Sequence, residues 1–540
     1  MARAHAQDAF SGEPDQAKMG LPRTSESICP ECLRVIPADL YESAGRVLMS
    51  KRCPEHGEFE DVVSASAELF LRAERYATEA PGSLQNSIVE EVGDCPSGCG
   101  ICAGHLSHAS LTNLDLTNRC NLRCPFCFAN ANVQDYVYEP DLEQIRGMMD
   151  RALSLKPRRM QAIQFSGGEP TLSPHFLDAC RLAKERGIRL IQAATNGIRF
   201  AKEDGFAEKA AAAGLNGAYL QFDGLGDDVY RVTRGVKGLW DIKLKALDAF
   251  RRAGIRVTLV PTLIRGVNDD QVGGILKFAI ENLDAVVGLA PQPVSFTGRI
   301  DRKERRERRY TSADVALGIE RQTGLLKAER DWYPFSVTAP FAKVVDNVLG
   351  ADAKGFLAMQ CTSHANCGIS AFLLVNQETG ASIPVNELFD IDRALEMVKE
   401  LGAKTEKRRS RLYATSQFLS ILLKTYRPDK APEGLNFLKL AKTVDAISGG
   451  RVMGIAKKKR YRWRLLLVAT MHFMDAYNFQ VERARRCTIH YSAPDGRIYP
   501  FCTYNSGRVF RREVERACSL PKAEWQKRFG GRYVSEGFYE

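Results

Sequence analysis

Cys120, Cys124 and Cys127 follow the spacing C-x3-C-x2-C. Three thiolates so spaced can hold three irons of a [4Fe–4S] cube and leave the fourth without a protein ligand. Electron-transfer clusters are closed by four thiolates, so an open iron is a place for a substrate or cofactor to coordinate. Taken alone, the three residues also suit part of a zinc site or a redox pair. A second triplet of identical spacing, Cys95, Cys99 and Cys102, lies 25 residues upstream. It suits an auxiliary iron–sulfur cluster or a structural metal knuckle, with His105 and His108 close by as spare donors. Nearer the N-terminus, Cys29-Pro30-Glu31-Cys32 and Cys53-Pro54-Glu55-His56 bracket a short alternating segment. Two such knuckles about twenty residues apart fit a tetrahedral zinc or mononuclear iron site, with Cys29, Cys32, Cys53 and His56 as donors. Two further pairs, Cys361-x5-Cys367 and Cys487-x14-Cys502, are far apart in sequence and can converge on one four-thiolate cluster. Cys180 and Cys518 lie in helical stretches without partners at ligand spacing and read as incidental thiols.

These residues need a scaffold, and from about 111 to 300 the pattern alternates between strands and helices. Apolar or β-branched runs at Leu111–Leu116, Ala162–Phe165, Leu190–Ala193, Ala218–Phe222, Arg256–Val260 and Ala285–Leu289 read as strands. Helical stretches lie between them, among them 142–155, 174–186, 206–213 and 239–253. Such alternation implies parallel strands joined by right-handed crossovers. Six units are fewer than a full eight-fold barrel, so the expectation is α/β, a partial (β/α)6 TIM-like barrel with its chemistry at the C-terminal strand ends. Residues 1–25 read as a disordered leader, 26–80 as a small metal module and 81–110 as the second-triplet segment. Residues 111–300 form the core, and 301–540 a mixed α+β C-terminal domain. Within the last, 311–323, 395–401, 412–426, 435–447 and 463–477 read as helices.

A chain of 540 residues with 44% hydrophobic and 26% charged residues is globular and long enough for several domains. Its net charge is +11. The basic excess is concentrated in 302–309 and 457–464, runs that suit phosphate headgroups, an acidic electron donor or nucleic acid, or simply a solvated face. Fifteen cysteines without an apolar leader segment read as metal ligands of a cytoplasmic protein rather than disulfides. No apolar stretch reaches the ~20 residues a bilayer demands, which leaves peripheral membrane contact open.

Further motifs follow the triplet in order at strand ends: Ser166-Gly167-Gly168-Glu169-Pro170, Thr195-Asn196-Gly197, Gln221-Phe222-Asp223-Gly224 and Val260-Pro261-Thr262. Over roughly 111–300 the ordered set resembles the radical S-adenosylmethionine (SAM) superfamily. The resemblance implies that Cys120, Cys124 and Cys127 ligate a [4Fe–4S] cluster whose open iron is chelated by S-adenosyl-L-methionine. It also implies that the backbone at Phe126 meets adenine, that Gly167, Gly168 and Glu169 hold the methionine amino group, and that Asn196 contacts ribose. The implied chemistry is one-electron cleavage of SAM to a 5′-deoxyadenosyl radical that abstracts hydrogen from an unactivated carbon. Asp223 reads equally as an orienting carboxylate or a turn residue.

The paired triplets, the N-terminal knuckles, Gln292–Arg299 and His490–Asn505 are similar to one subgroup, which contains tetraether lipid synthases and pterin-methylating radical SAM enzymes. That similarity implies one or two auxiliary clusters, one of them on Cys361, Cys367, Cys487 and Cys502, and a zinc-like or rubredoxin-like N-terminal site. Low-potential ferredoxin or flavodoxin is the implied electron donor. The function placed first is carbon–carbon coupling on lipid alkyl chains, which demands a deep apolar tunnel. The alternative is radical methylation of a pterin-like or other small metabolite, which demands a compact polar pocket. A non-catalytic iron–sulfur or zinc protein would not need Gly167-Gly168-Glu169, and nucleic-acid binding lacks a recognised module.

Overall fold

The computed structural model describes residues 19–78, 84–89, 95–298, 300–350, 361–433, 435–447, 462–506 and 510–529. The first 18 residues of the stretch read as a leader, and 457–461 of the second basic run, lie outside them. Four antiparallel strands open the described chain: β1 (Arg23–Ile28), β2 (Val35–Ser43), β3 (Arg46–Cys53) and β4 (Gly57–Ser64). Along β3 the residues Val47, Met49, Lys51 and Cys53 are buried in strict alternation, as a half-covered strand requires. Structure therefore begins inside the expected leader. Arg23 is held by Glu74 at 2.6 Å, at the end of helix α1 (Ala67–Glu74).

The six expected core strands are present: β5 (Leu111–Thr117), β6 (Ala162–Gly167), β7 (Leu190–Thr195), β8 (Gly217–Gln221), β9 (Arg256–Val260) and β10 (Val286–Leu289). Each runs parallel to the next. Helices such as α2 (Leu142–Ser154), α3 (Phe176–Glu185) and, further on, the helices Leu239–Ala253 and Val272–Glu281 return the chain between them. Their buried faces make one continuous apolar core with the outer faces of the strands.

The C-terminal part extends the same sheet. Strand β11 (Gly368–Asn376) lies antiparallel beside β12 (Trp463–Met471), and β12 pairs parallel with β10. At the other edge β13 (Ile489–Ser492) pairs parallel with β5, and β14 (Ile498–Pro500) folds back on β13. The helix expected over 463–477 is thus wrong: its first nine residues are strand β12. The run Leu465–Ala469 is apolar on consecutive positions, which periodicity cannot assign. Pairing on both edges decides it, and from Leu466 every second residue, including Val468 and Thr470, is buried. Among the described residues no pairing joins β12 to β13, so the sheet is an open, partial barrel. No described helix is long and apolar enough to cross a membrane.

Segment 472–488 runs from the end of β12 to the start of β13, and the N-terminal strands are fastened to it. The Lys51 ammonium is buried and donates to Ser27 Oγ (2.9 Å), Ile28 O (2.8 Å) and Ala476 O (2.7 Å). Ser27 in turn donates to Phe479 O at 2.6 Å. Arg309 bridges Asp475 (2.6 Å) and Asp61, and Arg305 also pairs with Asp61. Arg305 and Arg309 belong to the basic run at 302–309, which is therefore partly an internal latch rather than a wholly solvated face.

Burial pushes Lys51 down to about 7, partly offset by Asp475 and Asp61. The folded state then binds fewer protons than the unfolded one between about pH 7 and the ordinary lysine range, so this group's contribution to stability rises with pH across that window. Lys51→Met is expected to flatten that rise in pH-dependent thermal melts. It also strands three acceptors, at a cost of about 1–3 kcal/mol.

Candidate functional site

The loop that carries Cys120, Cys124 and Cys127 leaves the C-terminal end of β5. Its position is fixed by the end of β6. Gly168 N donates to Thr117 O at 2.7 Å and Glu169 N to Arg119 O at 2.8 Å. At Gly167, where φ is +121°, a Cβ would lie 2.2 Å from Thr117 O; at Gly168 it would lie 2.2 Å from Arg119 O. Only glycine permits that approach. What the glycine pair brings close is the chain segment leading into Cys120.

Asparagines and Glu169 hold the loop from the other side. Asn132 accepts from Cys120 N (3.0 Å) and donates to Cys120 O (2.7 Å) and Leu122 O (3.0 Å). Asn132 was missed in the sequence; its signal is an asparagine in the left-handed region, φ 64°, soon after the triplet. Asn196 donates to Asn121 Oδ1 at 2.7 Å, so its amide is directed at the residue beside Cys120. Glu169 is buried, and Oε1 accepts from Thr171 Oγ1 (2.6 Å) and Thr195 Oγ1 (2.8 Å) while Oε2 accepts from Asn196 N (2.8 Å). A carboxylate offers about four acceptor sites, which leaves room on Oε2 for an ammonium. Burial raises the Glu169 pKa, and those three hydrogen bonds, with a fourth from Thr171 N to Oε1 at 3.3 Å, pull it back.

Asp223 proves to be an anchor for an arginine. It is fully buried and accepts from Arg234 Nη2 (2.8 Å), Gln221 Nε2 (2.6 Å), Thr233 Oγ1 (3.0 Å) and Thr262 N (3.0 Å). Arg234 also donates to Phe126 O at 3.4 Å and reaches the Cys124 thiol. Beside it, buried Lys243 donates to Gln221 Oε1 at 2.7 Å and to Asn196 O at 2.5 Å. Burial pushes Lys243 down to about 7, with Asp223 opposing. Neither basic residue stands in a motif at strand ends, so spacing alone did not point to them.

Cys120, Cys124 and Cys127 pack together with Leu122, Ala131 and Ile198. Burial raises the Cys120 thiol pKa, and Cys124, Glu169 and Cys127 raise it further. Crowded thiols in an apolar wall favour a bound cation that draws off their protons, and this donor set fits an iron–sulfur cluster. They open on a cavity of ≈ 280 Å³ in the barrel mouth. Gly167, Gly168, Glu169, Asn196, Phe126 and Arg234 line it as well. Deeper in, the lining includes Asn113, Gln164, Gln192, Tyr219 and Gln292, and on the C-terminal side Phe473, Tyr491 and Phe501.

The other cysteines form separate groups. Cys29, Cys32, Cys53 and His56 place their donor atoms within 4.8 Å of one another, with Cys32 Sγ 3.9 Å from Cys53 Sγ and His56 Nδ1 3.4 Å from Cys53 Sγ. Tetrahedral zinc with its usual zinc–sulfur bond separates sulfurs by about 3.8 Å, so the set fits. Cys95 and Cys99 are half-buried and pack on the apolar group that includes Cys487 and Cys502. Burial raises the Cys99 thiol, and Cys95 and Cys102 raise it further. Burial likewise raises Cys487, with Cys502 and Cys367 adding to it. Cys361 instead contacts hydroxyls, Ser363 Oγ at 3.3 Å and Thr488 Oγ1 at 3.5 Å. Cys367, Cys487 and Cys502 thus lie within electrostatic reach of one another, while Cys361 contacts Thr488, next in sequence to Cys487. His105, a spare donor in the sequence, is turned to Cys487 O (2.9 Å) and His490 Nε2 (3.1 Å).

Gly168→Ala is expected to push the 117–119 segment away and spoil the cysteine loop. Iron bound after anaerobic reconstitution should fall below that of wild type, and SAM affinity should drop by about tenfold or more, as measured by equilibrium dialysis.

Residues 114–279 match the family model of the radical SAM superfamily, and residues 21–65 that of the HMPTM N-terminal zinc ribbon domain. The chain is 41% identical over 505 residues to 7,8-dihydro-6-hydroxymethylpterin dimethyltransferase of Methanocaldococcus jannaschii, covering 93% of this chain and 96% of that one. It is 27% identical over 222 residues to GTP 3',8-cyclase of Pseudomonas putida, covering 40% of this chain and 62% of the relative. Among solved structures, SuiB of Streptococcus suis overlays on 41% of this chain and 48% of its own with a TM-score of 0.33 at 20% identity. With its ordered strand-end motifs, its N-terminal ribbon and a near end-to-end match at 41% identity, this chain belongs to the radical SAM superfamily and, within it, to the family of the pterin dimethyltransferase.

Proposed function

We propose that this radical SAM enzyme methylates a pterin-like heterocycle. The observation that carries the reading is the composition of the cavity below the cysteine loop. Its lining sets five hydrogen-bonding side chains, Asn113, Gln164, Gln192, Gln292 and Tyr219, among apolar ones such as Leu111 and Ile489, and its C-terminal wall carries aromatic rings. Phe473 and Phe501 stack at 4.1 Å, and Tyr491 lies 5.3 Å from Phe501. An aromatic wall over a hydrogen-bonding base suits a flat, polar ring system, which stacks on one face and is held at its edge. Coupling of long alkyl chains calls for a deep apolar tunnel, and a base of amides does not suit one. The relative at 41% identity is itself a pterin dimethyltransferase, which favours methylation over lipid coupling.

In this reading Cys120, Cys124 and Cys127 hold a [4Fe–4S] cluster, and bound cluster and SAM together supply one-electron cleavage of a carbon–sulfur bond. Glu169 takes the methionine ammonium on its remaining lone pair. Arg234, fixed by Asp223, offers its guanidinium beside Cys124 and the Phe126 carbonyl, where a carboxylate is the fitting partner. The aromatic wall keeps water from the reacting carbon. The N-terminal residues hold zinc, and the thiols of Cys95, Cys99 and Cys102 and of Cys367, Cys487 and Cys502 hold auxiliary clusters. A low-potential ferredoxin or flavodoxin supplies the electrons.

The test is anaerobic incubation with SAM, dithionite and either a reduced 6-hydroxymethylpterin or a lipid extract. 5′-Deoxyadenosine and methylated product are then followed by mass spectrometry. The pterin should stimulate 5′-deoxyadenosine formation and gain mass in methyl increments, and Cys124→Ala should abolish both. Stimulation by lipid alone would sink the proposal.

A further inference from the structure

The base of the cavity is a directed row of amides. Asn113, Gln164 and Gln192 stand at matched positions on three adjacent parallel strands, β5, β6 and β7. Inward positions of such strands are normally filled with branched apolar side chains. Here the Asn113 amide donates to His490 O at 3.1 Å, Gln164 Nε2 donates to Asn113 Oδ1 at 2.8 Å, and Gln192 Nε2 donates to Gln164 Oε1 at 2.6 Å. A backbone carbonyl can only accept, so His490 O forces Asn113 to present its NH2 group. That choice sets the polarity of each following amide. The row must therefore end on a carbonyl oxygen, Gln192 Oε1, which meets no donor among the described residues.

The next position in register, on β8, is Gly217. A Cβ there would lie 2.9 Å from Gln192 Cβ and 3.5 Å from its Oε1. The row thus stops at a residue with no side chain, and the terminal oxygen stands beside open space in the cavity wall. An acceptor whose polarity is fixed three residues away is a selective one, since it cannot turn to offer a donor instead. Aromatic rings from Phe473 and Phe501 border the same cavity.

We infer that Gln192 Oε1 is a specificity-determining acceptor that reads an N–H group on the edge of a planar aminopyrimidinone-type ring. Asn113 and Gln164 are positioning residues that fix its polarity. The inference rests on the heterocycle reading proposed above and adds which edge the protein recognises. A ring bearing an exocyclic amino group satisfies the oxygen. A ring with a carbonyl in that place sets two acceptors against each other and is rejected.

The experiment is equilibrium binding of pterin (2-amino-4-oxopteridine) and lumazine (2,4-dioxopteridine) to the cluster-loaded protein with SAM present, followed by pteridine fluorescence. Wild type is expected to bind pterin about tenfold more tightly than lumazine, the ratio one lost hydrogen bond gives. Gln192→Leu should lose that preference, binding pterin about tenfold more weakly, while Gln164→Leu, which frees the Gln192 amide to turn, should narrow it by letting lumazine bind more tightly. Iron content and SAM affinity of both variants serve as the folding control. If Gln192→Leu keeps the wild-type preference with its iron and SAM binding intact, the edge assignment is overturned while the pterin reading stands. If wild type binds neither pteridine, both are overturned.

Discussion

Two carbonyl oxygens, those of Thr117 and Arg119, lie where the Cβ atoms of any other residues at 167 and 168 would have to be. That close passage of the β6 end past the β5 end is the constraint on which the site depends. It brings Glu169 into the same pocket as Cys120 and lets the Glu169 carboxylate tie the β7 loop, through Thr195 and Asn196, to both. From Asn196 the linkage continues to Asn121 on one side and Lys243 on the other. Three loops and the helix that carries Lys243 are thereby fixed to one another by buried hydrogen bonds, which in a dry environment are costly to leave unmade.

The second organising feature is segment 472–488. Met474 lines the cavity, its N–H meets the Cys502 thiol at 3.3 Å, and its carbonyl accepts from Ser506 at 2.6 Å. One residue later, Asp475 accepts from Phe296 N at 2.9 Å and holds Arg309. The same few residues are thus part of the cavity wall, neighbour an auxiliary thiol and receive the N-terminal ribbon through Lys51 and Ser27. The ribbon stands with its metal donors away from the cavity, yet it buttresses the wall.

Much of this was legible in the sequence where chemistry and local pattern coincide. Cysteine spacing marked the N-terminal donor set, whose ligand atoms converge, because ligand geometry constrains short loops, and the apolar runs marked all six core strands. The reading failed where a residue's partner is remote. Trp463–Met471 became a strand because β10 and β11 flank it, and neither neighbour is visible in a continuous apolar run. Asn132 and Arg234 act on the cysteine loop from outside any motif. Glycines 167 and 168 line the cavity as their motif suggests, but their close approach to the remote Thr117 and Arg119 carbonyls is not visible in the motif. Arg305 and Arg309 were read with a basic run, whereas buried Asp61 and Asp475 claim them.

The pairing of β13 with β5 joins residues 377 positions apart, as the bond from Asn113 to His490 shows. During synthesis the strands of the core and all the loops around Cys120 are complete long before that partner leaves the ribosome. Contacts so distant in the chain form late and slowly. The amide row at the base of the cavity has no fixed direction until His490 arrives, and its aromatic wall does not yet exist. In a nascent chain the residues of the cysteine loop therefore precede by hundreds of positions the last strands that wall the cavity beside them.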